Sequence, residues 1–311
     1  MSEHNYTTLT KFVLLGITDS LFAQVPLFGL FLLIYIFTLV GNIGIMVLVW
    51  AVPSLHTPMY FFLTHFSFTD ICYSTVISPK MLADLLSENK TISFAGCVMQ
   101  FHGFVFFATA ECHLLAVMAY DRYVAIRNPL LHVVVISRRI CKQLVAASYV
   151  VAFLSAIVYT VCTFGGSFCG PNQIDHFFCD ASPVLKLVCS DTHSSEIVIF
   201  ITVAINAVGT GVVILLSYIC ILHTVLRMHS SGSRSRAFNT CASHLMAISL
   251  FYGTIFFMYL QPASSHGSLD KVASVFYTLV TPMLNPLIYS LRNKEVKDAL
   301  VKSRRKVLSH W

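Results

Sequence analysis

The chain has 311 residues, of which 56% are hydrophobic and only 11% charged, and its mean hydropathy is +0.75. A soluble domain of this length carries about 25% charged residues and polar helix faces, so a soluble helical fold is excluded. The net charge of +6 sits at the ends of apolar stretches and reads as a basic face beside anionic lipid, not as a nucleic-acid surface.

In chain order, residues 1–20 contain Glu3 and Asp19 and lack a basic start or an apolar run. No cleavable signal is visible there, and the first span is expected to act as its own targeting signal. Apolar stretches then follow at about 24–50, 57–79, 98–122, 140–162, 197–226, 238–260 and 271–291. Each is long enough to cross a bilayer as a helix, which needs about 20 residues at about 1.5 Å each. Closed barrels use alternating strands of about ten residues, and these runs are longer and continuous. The expectation is an all-α membrane protein, a seven-transmembrane helix bundle, with residues 1–23 as an extracellular tail, 24–291 as the bundle and 292–311 as a cytoplasmic tail. In that last segment Val296, Leu300, Val307 and Leu308 form an apolar stripe that predicts a short cytoplasmic amphipathic helix.

Charge sets the orientation. Five of the lysines and arginines fall on the N-terminal side of the spans and fifteen on the other, including Arg122, Arg127, Arg138, Arg139, Arg227, Arg234 and the tail after Leu291. Positive residues stay inside, so the N-terminus is expected outside a plasma membrane crossed several times. Asn5, in Asn5-Tyr6-Thr7, is then a glycosylation acceptor on the outer side, and Asn89 fits the same pattern closer to the membrane.

Six of ten cysteines lie within or at the inner ends of spans and read as small buried thiols. The other four, Cys97, Cys169, Cys179 and Cys189, face the oxidising side, where disulfides are expected; their spacing allows three pairings and does not suit compact zinc ligation. Cys169, Cys179 and Cys189 lie in the long connection at about 163–196, whose length suggests a lid over a cavity. Within that connection His176, Cys179 and Asp180 could also suit a soft metal, unless Cys179 is in a disulfide.

Two acids lie deep in the spans. Asp70 is twelve residues after Pro58 and Glu111 eleven before Arg122, so both sit roughly 16–18 Å from the inner end. A charged carboxylate at that depth costs about 2.5–3.5 kcal/mol and needs a partner. A sodium ion held by Asp70 and Glu111 with Asn42, Ser67 or Asn285 is the expected solution, against the alternative of a neutral carboxyl pair. No other cofactor is expected.

Five motifs in order carry a family resemblance. They are Leu55–Leu63 (LHTPMYFFL), Met118–Ile126 (MAYDRYVAI), Ser217-Tyr218, Arg236–His244 (RAFNTCASH) and Pro282–Tyr289 (PMLNPLIY). Together they resemble the vertebrate olfactory receptors, a branch of the rhodopsin-like G-protein-coupled receptors, from about Phe12 to Lys297. Arg127, Arg236 and Asn239 depart from the family pattern at the inner face. The resemblance implies a receptor rather than an enzyme, and the chain has neither H-E-x-x-H nor G-x-S-x-G.

The resemblance further implies bonds Cys97–Cys179 and Cys169–Cys189. It implies a coupling switch of Asp121, Arg122, Tyr123, Tyr218, His244, Asn285, Pro286 and Tyr289, with Pro286 kinking span seven and Asn285 satisfying the freed backbone. The ligand pocket it implies uses Phe104, Val105, Ala108, Thr109 and Cys112 of span three and Thr202 and Asn206 of span five. Tyr252, Ile255, Phe256 and Tyr259 of span six and Val275 and Thr278 of span seven complete it. That lining is apolar and aromatic with a few hydroxyls and one amide, which suits a small volatile odorant. The expected partners are that odorant, a stimulatory olfactory-type heterotrimeric G protein and the lipid bilayer, with cAMP as the output.

Overall fold

The computed structural model describes residues 10–18, 20–169, 172–228, 230–260, 268–292 and 296, with the side chains of 231, 233, 236, 239, 240, 257–260, 268, 269 and 290–292 left aside. The acceptor at Asn5 and the amphipathic stripe beyond Val296 lie outside those residues, as do the side chains of Arg236, Asn239 and Tyr259.

Seven long helical segments form the bundle: Leu21–Ala51, Pro58–Leu85, Phe94–Arg127, Arg138–Phe164, His193–Leu226, Ser231–Leu260 and a composite seventh from Ser268 to Arg292. They are called spans one to seven here. Most run past the expected stretches because polar residues can continue a helix beyond the apolar slab. Span two continues through an ion pair of Lys80 with Asp84, one turn apart. Five helical stretches, in spans one, three, four, five and seven, are long and apolar enough to cross a membrane. Span two is not among them because its polar residues are turned inward: Ser67, Thr69, Asp70, Ser74 and Ser78 are all buried. Span six contributes a shorter apolar stretch, Cys241–Phe256, among its described residues.

Span three is the axis of the bundle and packs against spans two, four, five and six, while span one lies against spans two and seven. At one end a small sheet caps the bundle in the order β2-β1-β3, with β1 at Lys11–Leu14, β2 at Thr91–Ser93 and β3 at Gln173–Ile174. β1 is antiparallel to β2, with Phe12 opposite Ile92, and parallel to β3, with Leu14 opposite Ile174. This is the lid end; the opposite, basic end carries Arg122 and the loop after it. Residues 11–14 of the expected N-terminal tail are thus the central strand of the cap. Phe12 and Leu14 are fully buried there, packed with Phe101, Val105, Tyr159 and Val184.

Span seven departs most from a regular helix. A π-helical turn occupies Phe276–Val280, ahead of Pro282 and Pro286. Pro282 has no N–H for the preceding turn, and the hydroxyl of Thr281 donates to the Phe276 carbonyl at 3.1 Å. Pro286 likewise leaves the Pro282 carbonyl without its helical donor. Span one fills that position: Asn42 Nδ2 donates to the Pro282 oxygen at 3.1 Å and to its own Thr38 carbonyl at 3.0 Å. The close approach requires Gly41, because a Cβ there would lie 3.0 Å from the Pro286 Cβ. Asn285, expected to serve the freed backbone, instead turns its amide to Asp70.

Asn42→Ala should therefore lower thermal stability by about 1–3 kcal/mol, the range for a buried polar group left unpaired. In a Pro286→Ala background, where the helical N–H returns, the same change should cost clearly less. Additive losses in a double-mutant cycle, read by thermal unfolding of the purified protein, would refute this role for Asn42.

Candidate functional site

Beneath the lid the helix faces converge on three polar groupings. The first joins spans three, five and six. Cys112 Sγ lies 2.9 Å from Thr210 Oγ1 and 3.3 Å from the Tyr252 hydroxyl, and Thr210 Oγ1 lies 2.7 Å from that hydroxyl. Thr210 is one turn beyond Asn206 and was not among the expected pocket residues. Its signal was its place at i+4 from Asn206, which is itself at i+4 from Thr202, a polar line along one face of span five. Asn206 itself faces span four, donating to Ser155 Oγ at 3.2 Å and to the Thr202 carbonyl at 2.8 Å.

The remaining expected pocket residues divide between neighbouring surfaces. Val105 is buried in the core beneath the lid. Phe104 belongs to an aromatic group, with ring centroids 5.7 Å from Tyr73, 5.1 Å from Phe178 and 6.0 Å from Tyr277. Ala108, Thr109, Thr202, Ile255 and Val275 are half-buried, and Thr278 is buried with its hydroxyl on the Ser274 carbonyl. Phe256 is 59% exposed, on the outward side of span six.

The second grouping is acidic and central. Asp70 and Glu111 are buried within hydrogen-bonding reach of each other. Asn285 Nδ2 donates to both Asp70 oxygens, at 3.0 and 3.1 Å. Ser67, three residues before Asp70, is buried, and so is Asn42 of span one, which holds the Pro282 carbonyl three residues before Asn285. Three acceptors in this region, Glu111 Oε1, Asn42 Oδ1 and Asn285 Oδ1, are buried with no donor among the described residues. Acceptor oxygens without donors are the chemistry that a hard cation takes up.

The third grouping lies at the basic end. Tyr218 and His244 share a hydrogen bond of 2.8 Å between the phenol oxygen and Nδ1. Arg122 is buried and acts electrostatically on Tyr218, His244 and Tyr289. Asp121, the residue before Arg122, is engaged by His132 of the following loop at 2.8 Å. Adjacent helical residues point about 100° apart, so Asp121 and Arg122 face different partners. Tyr123 takes a hydrogen bond from Arg127, at 2.9 Å.

The lid is fastened by disulfides Cys97–Cys179 and Cys169–Cys189, with Cα separations of 5.6 and 5.8 Å. Cys179 is thereby removed as a thiolate ligand. Gln100 Oε1 accepts the Cys179 N–H at 3.0 Å. Span seven holds the same loop twice, through His176 Nε2 to Ser274 Oγ at 3.2 Å and Lys271 Nζ to Asp175 at 2.7 Å. The Lys271 hydrogen bond draws the Asp175 carboxyl below its ordinary range. Burial, with Lys271 nearby, pushes His176 down to about 3, so the ring is neutral at physiological pH. Asp180 goes the other way. Burial, opposed by a hydrogen bond from the Ala181 N–H and reinforced by Asp270, raises it to about 6.

That value predicts how the lid responds to pH. With a folded value above the ordinary one, the charged form is disfavoured, so stability falls as pH rises from about 4 to about 6. Asp180→Asn should therefore stabilise the protein near pH 7.5, by about 1–2 kcal/mol after screening at a half-buried site, and change little at about pH 3.5, where the carboxyl is protonated in both states. Thermal unfolding at both values tests this; an equal gain at both would assign the effect to something other than charge.

The fold has a solved counterpart in squid rhodopsin, with a TM-score of 0.69 over 94% of this chain and 83% of that one, at 17% identity. Mouse olfactory receptor 5AP2 is 55% identical, over 97% of this chain and 96% of its own length. Human olfactory receptor 8U9 is 52% identical over 97% and 98%. The family model described as olfactory receptor matches residues 31–306. With relatives of that identity along nearly its whole length, the chain belongs to the olfactory receptor family, a family of G-protein-coupled receptors and not of enzymes.

Proposed function

We propose that the protein lies in the plasma membrane with its lid end outside and its basic end in the cytoplasm. There it binds a small, largely apolar volatile compound beneath the lid, and it activates a stimulatory heterotrimeric G protein that raises cAMP. One observation carries the reading. The thiol and hydroxyls of Cys112, Thr210 and Tyr252 join the same three helices that meet again at Arg122, Tyr218 and His244. Eight to ten residues separate the two junctions on each helix, about 12–15 Å of rise.

A ligand seated beside Tyr252 competes for its hydroxyl or displaces its ring. Either change alters the registration of spans three, five and six, which reaches the lower junction as rigid-body movement. Apolar contact with Val105 and Ala108 selects shape, and the hydroxyls of Thr109, Thr202 and Thr210 select functional group at about 0.5–1.5 kcal/mol per hydrogen bond. Arg122 is the residue assigned to meet the G protein.

A panel of volatile compounds, applied to cells carrying the full chain and a cAMP reporter, tests this. At least one compound should raise cAMP, and Arg122→Ala, present at the surface, should abolish the response. An undiminished response from that variant would remove Arg122 from its role.

Sodium fits the acid pair by the same reasoning. Asp70 and Glu111 supply charge, and the donor-free oxygens of Asn42 and Asn285 supply neutral ligands. A cation there favours the arrangement in which these groups are close and so biases the receptor toward its resting state. Asp70→Asn should then flatten the dependence of basal signalling on sodium while leaving the ranking of active volatiles unchanged. Identical sodium titrations for wild type, Asp70→Asn and Glu111→Gln would leave a shared proton as the occupant.

A further inference from the structure

The lid brings one polar side chain against the bundle without a full set of partners. His176 is 3% exposed, and among the described residues its Nδ1 has no hydrogen-bond partner. Its backbone is fixed on both sides: the N–H donates to the Ile174 carbonyl at 2.8 Å, and the carbonyl accepts from the Gly16 N–H at 3.1 Å. The rings of Phe177 and Phe178, with centroids 4.7 and 4.6 Å away, hold the imidazole in place. Its other nitrogen, Nε2, lies 3.2 Å from Ser274 Oγ, which makes no other hydrogen bond among the described residues. The neutral ring has one hydrogen to place. With that hydrogen on Nε2, both the Ser274 hydroxyl hydrogen and Nδ1 are stranded. With Ser274 donating to Nε2, only the Nδ1 hydrogen is. Each stranded buried group is costly, so the second arrangement holds and His176 presents a free N–H donor.

A continuous strip leads down from this donor. Phe178, edge-on to His176, packs on Phe104 of span three with ring centroids 5.1 Å apart. Ala108 and Cys112 follow Phe104 at intervals of four residues, so all three share a helical face that ends beside the Tyr252 hydroxyl. The eight residues span about 12 Å of rise. Phe104 and Ala108 are only half-buried, so protein packing does not close the strip. We propose that the volatile ligand carries a hydrogen-bond acceptor, the carbonyl of a ketone, aldehyde or ester, which takes the Nδ1 hydrogen of His176 while its apolar body lies along Phe104 and Ala108 toward Tyr252. This rests on the ligand reading above and adds the chemical class and the orientation. An alkane has no acceptor, and an ammonium group only donates, so neither relieves the stranded N–H.

The test reads binding by thermal stabilisation of the purified full chain, which needs no G protein, and signalling by the cAMP reporter. The probes are sets on matched skeletons: octane, octanal and octylamine, and toluene, benzaldehyde, acetophenone and benzylamine. At least one carbonyl compound should stabilise wild type at about tenfold lower concentration than its hydrocarbon and amine counterparts. His176→Phe keeps a buried ring and should erase that preference. His176→Gln, whose amide can donate, should keep most of it. Ser274→Ala loosens the lid but leaves the imidazole, and should weaken all compounds alike without erasing the preference. Three results overturn the proposal: no carbonyl preference in wild type, the same preference in His176→Phe, or an equal loss for every compound in His176→Phe, which would leave His176 as a lid fastening only. A carbonyl preference that His176→Phe removes, with no cAMP response to any compound, supports the site and counts against the coupling proposed above.

Discussion

Inside a bilayer a carbonyl that loses its donor finds no water to replace it, and two prolines four residues apart put that problem in the middle of span seven. The solution welds three helices together. Asn42 reaches from span one to the Pro282 carbonyl, Gly41 lets the backbones approach, and Asn285 leans on Asp70 of span two. Each contact is buried, short and hard to exchange. Spans one, two and seven are thus tied together through polar groups whose separation would strand them in hydrocarbon.

Spans three, five and six are joined differently. They meet through a thiol, a threonine hydroxyl and a phenol, all of which donate and accept and can change partners by rotating. Span three borders both groups. Glu111 turns to Asp70 of span two and Cys112, the next residue, to spans five and six, because successive helical positions point in different directions. The boundary between these two kinds of joint runs along span three between two adjacent residues.

The bundle was legible in the sequence because long apolar runs have few physical meanings, and because the distribution of arginine and lysine orders their ends. The helix ends were less legible: the Lys80–Asp84 pair continues span two past its apolar part, which hydropathy alone does not see. The sheet was invisible, since strands of two to four residues are too short to show alternation. The π-helical turn had no sequence signal of its own, because Thr281 and Pro282, which shape it, look like ordinary residues ahead of the Pro286 kink. Of the site, the residue types on spans three and six could be placed from helical spacing. Ser155 and His132 could not, because their importance lies in what a different helix or loop puts opposite them. Squid rhodopsin shares the architecture at low identity, so the helix arrangement tolerates wide changes in the residues that line it.

The cap over the bundle has a consequence for how the chain is made. β1 is the middle strand, yet its partners are residues 91–93 and 173–174, so Val13 pairs with a residue 160 positions later. During synthesis the strand precedes its partners and meets the last of them only after four spans and the start of the long loop exist. Phe12 and Leu14, fully buried at the end, spend that interval without their pocket. The first segment to be produced is thus among the last to be sheltered, and the time it waits is set by the pace of the ribosome and membrane insertion.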